Sequence, residues 1–364
     1  HDRVTPAQII ILGFLLLIFT GAVLLMLPFS TQEPGGASFG DALFTATSAT
    51  CVTGLVLHDT ALYWSPFGQL VILLLIQVGG MGVVTIAVAI FMFAGKRIGL
   101  KQRWVMQETI PSPQVGGIVR MTGFILKTAF LIEGIGALLL ALRFCPQFGL
   151  GRGLWYAVFH SVSAFCNAGF DLMGVNSPFS SLTHYVGDPL VSNVIAFLII
   201  IGGVGFLTWN DIREHKLHFR RYRLQSKLIL TTTLALILTG LLFFLLYEFE
   251  QGQWVDMSLW ERINAAFFQS VTPRTAGFNT VDLTGLSQPA QLLIILLMLV
   301  GGSPGSTAGG FKTTTLAVML LGVRAVFRHK ERPQCFGRRI ADESIRNASA
   351  IFLLYLLLFL TGGI

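Results

Sequence analysis

The feature of this sequence that most constrains its fold is a series of long apolar runs. A helix needs about 20 apolar residues, at about 1.5 Å of rise each, to cross the hydrocarbon core of a bilayer. Only 12% of the 364 residues are charged, and the mean hydropathy is +0.71. The runs are Gln8–Leu27, Gly68–Gly95, Phe124–Leu142, Val191–Trp209, Leu228–Tyr247, Gln291–Gly322 and Ala348–Ile364. They predict an integral membrane protein, and helices satisfy the backbone hydrogen bonds that lipid cannot.

The basic residues indicate which ends of these runs face the cytoplasm. Twenty of the 25 Lys and Arg residues are Arg3 or lie in Lys96–Lys127, Arg213–Lys227 and Arg324–Arg346, and short basic loops stay cytoplasmic. We therefore expect a multi-pass protein of the cell (inner or plasma) membrane with a cytoplasmic N-terminus. The first run is expected to be a retained helix, because it lacks the cleavage site of a signal peptide. Nucleic acid is not an expected partner, because the basic residues lack interleaved stacking aromatics.

A short segment rich in hydroxyl groups lies between the first two runs and recurs twice. Thr45–Leu55 is too polar for lipid and too short to span it. Two later segments align with it, Phe159–Phe170 and Phe267–Phe278. Each segment has a glycine at the matching position, and these glycines, Gly54, Gly169 and Gly277, are 115 and 108 residues apart. This spacing indicates that a whole membrane module is repeated.

Each module is expected to contain a first helix (M1), a re-entrant pore loop (P) and a second helix (M2). The second helices begin at a polar residue followed by proline, in the pairs Ser65-Pro66, Asp188-Pro189 and Gln288-Pro289. The predicted modules are residues 1–103, 104–223 and 224–332, and residues 333–364 begin a fourth that is incomplete in this sequence. The predicted fold class is an all-α integral membrane protein with repeated M1–P-loop–M2 modules, as in potassium channels, around a central pore.

The repeated segments have the chemistry of a cation site made from backbone oxygens. A short helix that enters from outside directs the negative end of its dipole toward the middle of the membrane. The glycine after it allows the backbone to turn carbonyl groups toward an ion. The candidate ligand residues are Val52, Thr53, Gly54, Asn167, Ala168, Gly169, Thr275, Ala276 and Gly277.

Glycine-rich stretches also mark the second helices. Close packing of helices is the interpretation for Gly79–Gly82 and Gly202–Gly205, because small residues let backbones approach. The third version has too many glycines, plus a proline, to continue as a helix. It predicts an intramembrane loop over residues 301–312, with a kinked helix as the alternative. The candidate gate residues are Gly301, Gly302, Ser303, Pro304, Gly305, Ser306, Thr307, Ala308, Gly309, Gly310 and Lys312.

Four motifs resemble the pore loops and gating loop of the Trk/Ktr/HKT potassium transporter superfamily. They are Thr50–Leu55, Cys166–Phe170, Arg274–Phe278 and Gly301–Lys312, and the resemblance is strongest to membrane subunits of the bacterial KtrB type. It implies potassium selectivity, a gate below the filter, and a homodimer in membrane lipid. It also implies a KtrA-like cytosolic regulatory ring that binds ATP or ADP. The chain itself is expected to need no cofactor and to hold no transition metal, with potassium as its substrate.

Three ionisable residues at membrane depth leave alternatives open. Arg274 could bind the carbonyl groups that end its pore helix or pair with an outer acid. Glu133 could couple proton movement or form a hydrogen bond between helices. Lys312 could be a positive barrier in the gate or extend its amine toward the cytoplasm.

The other ionisable residues are expected to have ordinary roles. His58, His160 and His184 show no metal-binding spacing and are expected at the membrane interface. Lys96–Arg103 and Arg213–Arg223 could bind anionic lipid or an acidic partner.

Three other functions compete with a potassium pathway. A sodium-coupled carrier of another solute could also use re-entrant hairpins, although one glycine per loop in strict repetition disfavours it. An intramembrane enzyme would need paired acids, a Ser/His couple or a metal cluster at mid-depth, and the sequence shows none there. A structural scaffold would not need glycine and hydroxyl groups in this register.

Overall fold

Helices form most of the chain in this computed structural model, which describes residues 5–82, 85–86, 118–216, 218–329 and 333–362. The helices are α1 (Pro6–Leu25), α2 (Phe39–Thr50), α3 (Thr60–Tyr63), α4 (Pro66–Met81), α5 (Ile118–Phe148), α6 (Leu150–Phe165), α7 (Pro189–Val204), α8 (Phe206–His215), α9 (Leu224–Phe243), α10 (Leu259–Val271), α11 (Gln288–Leu299), α12 (Thr313–Phe327) and α13 (Asp342–Gly362). A π-helical turn, Phe244–Glu248, continues α9. The predictions for Lys96–Arg103, for the N-terminus and for the end of the second run lie outside the described residues.

Two very short strands are the exception to an all-helical chain. β1 (Gln334–Cys335) and β2 (Arg338–Arg339) pair in antiparallel register and form a small hairpin before α13. The hairpin is too short for sequence periodicity to reveal it.

Four helices in the described part of the chain are long and apolar enough to span a membrane, α1, α5, α9 and α13. Helices α7 and α8 pass the same test together, but they meet at an angle of 95°. The run Val191–Trp209 was therefore wrong as one straight helix. Gly205 makes the break with a φ of +96°, and an added Cβ there would lie 2.8 Å from the carbonyl oxygen of Pro304.

The sixth apolar run is interrupted as predicted. Helix α11 ends at Leu299 and α12 begins at Thr313, so residues 300–312 form no helix, and the kinked-helix alternative is wrong. An isolated parallel bridge joins Val300 to Phe311 at the base of the loop. The two ends of the loop are therefore close together.

Polar caps start the helices at the predicted places. Ser65 and Asp188 accept hydrogen bonds from the first backbone amides of α4 and α7. In the third module the cap is Ser287 and the helix starts at Gln288, so the prediction of Gln288 as the capping residue was wrong by one position. A full capping box of Ser258 and Glu261 starts α10.

The short helices α2, α6 and α10 pack among the longer ones, and small residues allow the close approach. A side chain at Gly79 would collide with the carbonyl oxygen of Thr50, at the end of α2. A side chain at Gly202 would collide in the same way with that of Phe165, at the end of α6. The packing interpretation is thus correct for these glycines, but the last glycine of each motif, Gly82 and Gly205, lies at the end of its helix with a positive φ.

The core of the described residues lies around α6. His160 is fully buried there, contacts the carbonyl oxygen of Tyr156 through Nδ1 and accepts the backbone N–H of Leu172 at Nε2. Its expected place at the membrane interface was wrong. The ring instead ties α6 to the chain that follows it.

Candidate functional site

The chain leaves each of the three short helices with the same backbone conformation. The residue two before the glycine has a left-handed φ in each case, at Val52 (+49°), Asn167 (+57°) and Thr275 (+66°). The glycine follows with a φ of +77° at Gly54, +74° at Gly169 and +85° at Gly277. Left-handed angles are rare for residues other than glycine, especially β-branched ones. Their recurrence at matched positions indicates one shared design.

A hydroxyl group near the end of each helix holds this turn in place. Ser48 Oγ donates to the carbonyl of Leu55 at 2.7 Å, and Ser163 Oγ donates to that of Phe170 at 2.6 Å. Thr272 Oγ1 donates to Phe278 in the third segment. These hydrogen bonds were not predicted from the sequence. The signal was present, however, because a Ser or Thr lies six or seven residues before Leu55, Phe170 and Phe278, the residues that follow the glycines.

The three segments meet at their glycines. A Cβ at Gly54 would lie 2.5 Å from the carbonyl oxygen of Ala168. A Cβ at Gly169 would collide with the carbonyl oxygen of Ala276, and a Cβ at Gly277 would lie 3.3 Å from the Cα of Gly169. Five of the predicted residues, Gly54, Ala168, Gly169, Ala276 and Gly277, are therefore brought together, with no room for a side chain at Gly54 or Gly169.

A small cavity of about 130 Å³ opens beside the glycines. Gly54, Gly169 and Gly277 share its wall with the carboxylates of Asp59 and Asp171. Burial raises the pKa of Asp171 to about 6, and the charge of Asp59 acts in the same direction, while the N–H of Met173 and the hydroxyl of Ser181 oppose the shift. Because this pKa lies below 7, the carboxylate of Asp171 is mostly charged at neutral pH and can attract a cation to this cavity.

A second cavity of about 250 Å³ joins the first segment to the loop. Val52, Gly79–Gly82 and Gly305–Gly309 are part of its lining. Both cavities therefore lie beside the segment Val52–Gly54. The three glycines line the smaller cavity, and the 301–312 loop lines the larger one.

Backbone hydrogen bonds fix the 301–312 loop against the break between α7 and α8. The amides of Ser303 and Thr307 donate to the carbonyls of Gly203 and Gly202, and the amide of Phe206 donates to Gly305 at 2.7 Å. The predicted gate residues thus lie together in one segment across the end of α7. The loop satisfies its polar groups with protein, as irregular backbone within a membrane must.

One side-chain contact joins this loop directly to a glycine segment. Thr307 Oγ1 donates to the carbonyl of Phe165 at 2.8 Å and accepts from Asn167 Nδ2 at 3.0 Å. Asn167 and Thr307 are only 1% and 3% exposed. The loop and the second segment are therefore linked by buried hydrogen bonds.

The ionisable residues at membrane depth have definite partners. Lys312 Nζ donates to the carbonyl oxygen of Ala308 at 2.9 Å, so its amine is held inside the loop. Glu133 accepts from Gln77 Nε2 at 3.0 Å, which is the hydrogen bond between helices that one alternative anticipated. Arg274 is buried beside the loop and contacts Thr233 Oγ1 at 3.3 Å. No ion pair in the described ranges includes Arg274, so the second of its two alternatives, pairing with an outer acid, was wrong.

One group of potential metal ligands occurs in the described part, formed by Asp211, Glu214 and His215. Asp211 Oδ2 accepts from the hydroxyl of Ser226 at 2.6 Å and from the backbone amide of Arg223. These contacts stabilise the start of α9, because Arg223 at its N-cap position makes no capping hydrogen bond with its side chain.

Comparisons with known proteins agree along nearly the whole chain. The protein family described as "TrkH: Cation transport protein" matches residues 3–363. "Ktr system potassium uptake protein B" of Bacillus subtilis is 42% identical over 99% of this chain and 79% of its own length. "Potassium/sodium uptake protein NtpJ" of Enterococcus hirae is 40% identical over 98% of this chain and 78% of its own length.

A solved structure has the same fold. The potassium transporter TrkH from Vibrio parahaemolyticus superposes with a TM-score of 0.70 at 21% identity, covering 96% of this chain and 70% of its own. The similarity in sequence and the similarity in fold therefore extend over the same residues.

Proposed function

Because the chain belongs to the TrkH family of cation transport proteins, we propose that it is the potassium-translocating membrane subunit of a Ktr/Trk-type uptake system. One observation carries this proposal most directly: three glycine segments with the same backbone angles meet without intervening side chains. Such a meeting point presents main-chain oxygens, which are the ligands that replace the water shell of potassium in a selective pore.

The proposed filter consists of nine residues in the three segments. Its ligands are carbonyl oxygens of Val52, Thr53, Gly54, Asn167, Ala168, Gly169, Thr275, Ala276 and Gly277. The negative ends of α2, α6 and α10 add to the attraction for a cation. In this proposal the modules, residues 1–103, 104–223 and 224–332, surround a pore with these segments, and residues 333–364 begin a fourth module.

The proposed gate is the loop of residues 301–312. The loop is hydrogen-bonded to α7 at Gly202 and Gly203. It lies beside the cavity of about 250 Å³ next to Val52 and narrows the path of the ion. The amine of Lys312 sits within the loop and adds a positive charge that opposes the passage of cations. Release of the loop would open the path. It would also break the hydrogen bond between Thr307 and Asn167, and so the release would affect the filter.

The assembly proposed is a homodimer with a cytosolic nucleotide-binding ring of the KtrA type. The support for it is family membership and the basic segments at one end of the helices, including Arg213–Lys227. ATP or ADP would bind to that ring and not to this chain. The N-terminus and the basic segments face the cytoplasm in this arrangement.

The relatives give no support to the carrier alternative, because those reported above are named for potassium or for potassium and sodium uptake. The name of the Enterococcus hirae relative includes sodium. Sodium is therefore proposed either to be coupled to potassium transport or to activate it.

The test is rubidium flux into liposomes that contain the purified protein, with potassium, sodium, lithium and a neutral solute as competitors. We expect potassium to compete strongly and sodium only weakly. A flux that the neutral solute inhibits, or that sodium inhibits as strongly as potassium, would reject a potassium filter.

A further inference from the structure

A long groove beside helices α5, α7 and α8 takes no part in the proposed pathway. It is a cavity of about 1200 Å³, far larger than the two cavities at the glycine segments. Arg120, Lys127 and Arg213 lie on its wall together with apolar residues that include Leu131, Ile132 and Ile201. A groove with basic and apolar parts fits an amphipathic anion better than a soluble ion.

Basic and apolar residues of the groove alternate along one face of α5. Arg120, Phe124, Lys127 and Leu131 recur every three or four residues and so lie on one face of the helix. The distance from Arg120 to Leu131 along the axis is about 16 Å, close to half of the roughly 30 Å hydrocarbon core. The groove therefore extends over about one leaflet, with Arg120 and Lys127 about 10 Å apart along the helix and Leu131 at the deeper end.

The bend at Gly205 brings a third cation to the same groove from another element. Helix α8 leaves α7 at 95°, which carries Arg213 back to α5. Its guanidinium carbon lies 5.1 Å from the centre of the Phe124 ring, a distance typical of a cation–π contact. The basic residues of the groove thus come from two helices that are far apart in sequence.

These charges lack protein counterions among the described residues. No ion pair there includes Arg120, Lys127 or Arg213, and no acidic residue lines the groove. The nearby acids on α8 are engaged elsewhere, since Asp211 contacts Arg223, and Glu214 accepts from Asn210. Three uncompensated cations in one groove favour an anionic group between them.

We propose that this groove binds one phospholipid with an anionic headgroup, such as phosphatidylglycerol. The phosphate lies between Arg120, Lys127 and Arg213, and the acyl chains follow the apolar wall toward Leu131 and Ile201. The leaflet is the cytoplasmic one, which rests on the orientation proposed above, whereas the site itself does not depend on transport.

The test is native mass spectrometry of the purified protein in detergent, titrated with phosphatidylglycerol or with neutral-headgroup phosphatidylethanolamine. The groove variant combines Arg120→Gln, Lys127→Gln and Arg213→Gln. The matched control combines Arg324→Gln, Arg328→Gln and Arg339→Gln, which removes the same charge from exposed positions outside the groove. We expect the groove variant to lose at least about tenfold in affinity for phosphatidylglycerol, and the control to stay within about twofold.

Several results would overturn the proposal. They are an unchanged affinity of the groove variant, an equal loss in the control, or equal binding of the two lipids by the unmodified protein. Displacement of the lipid by the same concentration of inorganic phosphate would show a site for soluble anions instead. If the triple variant does not fold, Lys127→Glu at an exposed position gives the same test, and retained binding there would reject the site.

Discussion

At the scale of single residues, the three convergent segments are defined by backbone angles more than by side chains. Val52, Asn167 and Thr275 differ in chemistry, yet all have a left-handed φ. For β-branched residues such a conformation is strained, and it persists only when the surroundings hold it. The tethers from Ser48, Ser163 and Thr272 supply that restraint, so the site is pre-formed.

Gly54→Ser should weaken discrimination between potassium and sodium while the protein still folds. The new Cβ would lie 2.5 Å from the carbonyl oxygen of Ala168 at a φ of +77°, which displaces a proposed ligand. We expect roughly a tenfold loss in the preference for potassium, equivalent to about 1.4 kcal/mol, measured as sodium competition in rubidium flux. Gly35→Ser is the control, because Gly35 also has a positive φ but has open space around it.

Protonation of Asp171 should make uptake depend on external pH. Because its pKa is raised to about 6, the carboxylate is charged above that pH and becomes neutral as the pH falls through it. Rubidium uptake below saturation should fall by roughly twofold to tenfold between pH 7.5 and 5 as the local attraction for cations is lost.

The matching variant is Asp171→Asn, whose amide oxygen can still accept the N–H of Met173. It should take up rubidium slowly at both pH values and lose the dependence on pH in this range. Asp256→Asn removes an exposed acid that does not line the cavity with Asp59 and Asp171. This control should keep the normal pH profile. A pH profile unchanged by Asp171→Asn would contradict this role.

At the scale of elements, the loop between α11 and α12 is a segment with two attachments. Its backbone binds the end of α7, and its side chain at Thr307 binds the end of α6 and Asn167. The first attachment depends on glycines that admit close approach. The second depends on one hydroxyl group and can be removed without changing the loop's length.

Thr307→Val should favour release of the loop. The side chains are similar in shape, but valine neither donates to Phe165 nor accepts from Asn167. Loss of about 1 kcal/mol from these buried hydrogen bonds should raise rubidium flux by roughly fivefold without the regulatory partner. The control is Thr239→Val, which removes a hydroxyl from an exposed position in α9; lower flux from well-folded Thr307→Val protein would indicate that the loop is only structural.

The helices, their caps and the interrupted sixth run could be predicted because hydropathy, Ser or Asp before proline, and clustered glycine are local signals. The bend at Gly205 could not, since Gly202–Gly205 and Gly79–Gly82 look alike in sequence, and both stretches end a helix at a glycine with a positive φ. Gly205 in addition lies close to Pro304, a contact between residues about 100 positions apart. The burial of His160 and the partner of Arg274 were missed because only the folded structure brings Tyr156 and Leu172 to His160 and Thr233 to Arg274.

At the scale of the whole molecule, charge segregation implies a single orientation. In the proposed topology the basic segments, including Arg213–Lys227, face the cytoplasm, and the cavity with Asp59 and Asp171 faces outward. The spans found from hydropathy could be predicted, whereas the small hairpin of β1 and β2 at the basic end could not.

Cysteine labelling should reveal that orientation in intact cells. With the four native cysteines replaced by alanine, Gly35→Cys should react with a membrane-impermeant maleimide from outside. Arg328→Cys should react only after the membrane is opened, because its basic segment is expected inside. Both positions are exposed in the structure, so burial cannot explain a failure to react, and the reverse pattern would overturn the proposed orientation.

The meeting of three unlike segments at one point also bears on how such a protein can evolve. In a channel of identical subunits, one mutation alters every segment of the filter at once. Here Gly54, Gly169 and Gly277 belong to one chain and follow different residues, Thr53, Ala168 and Ala276, so each can change alone. Ion preference can therefore shift in small steps, with the unchanged segments preserving the site while one segment varies.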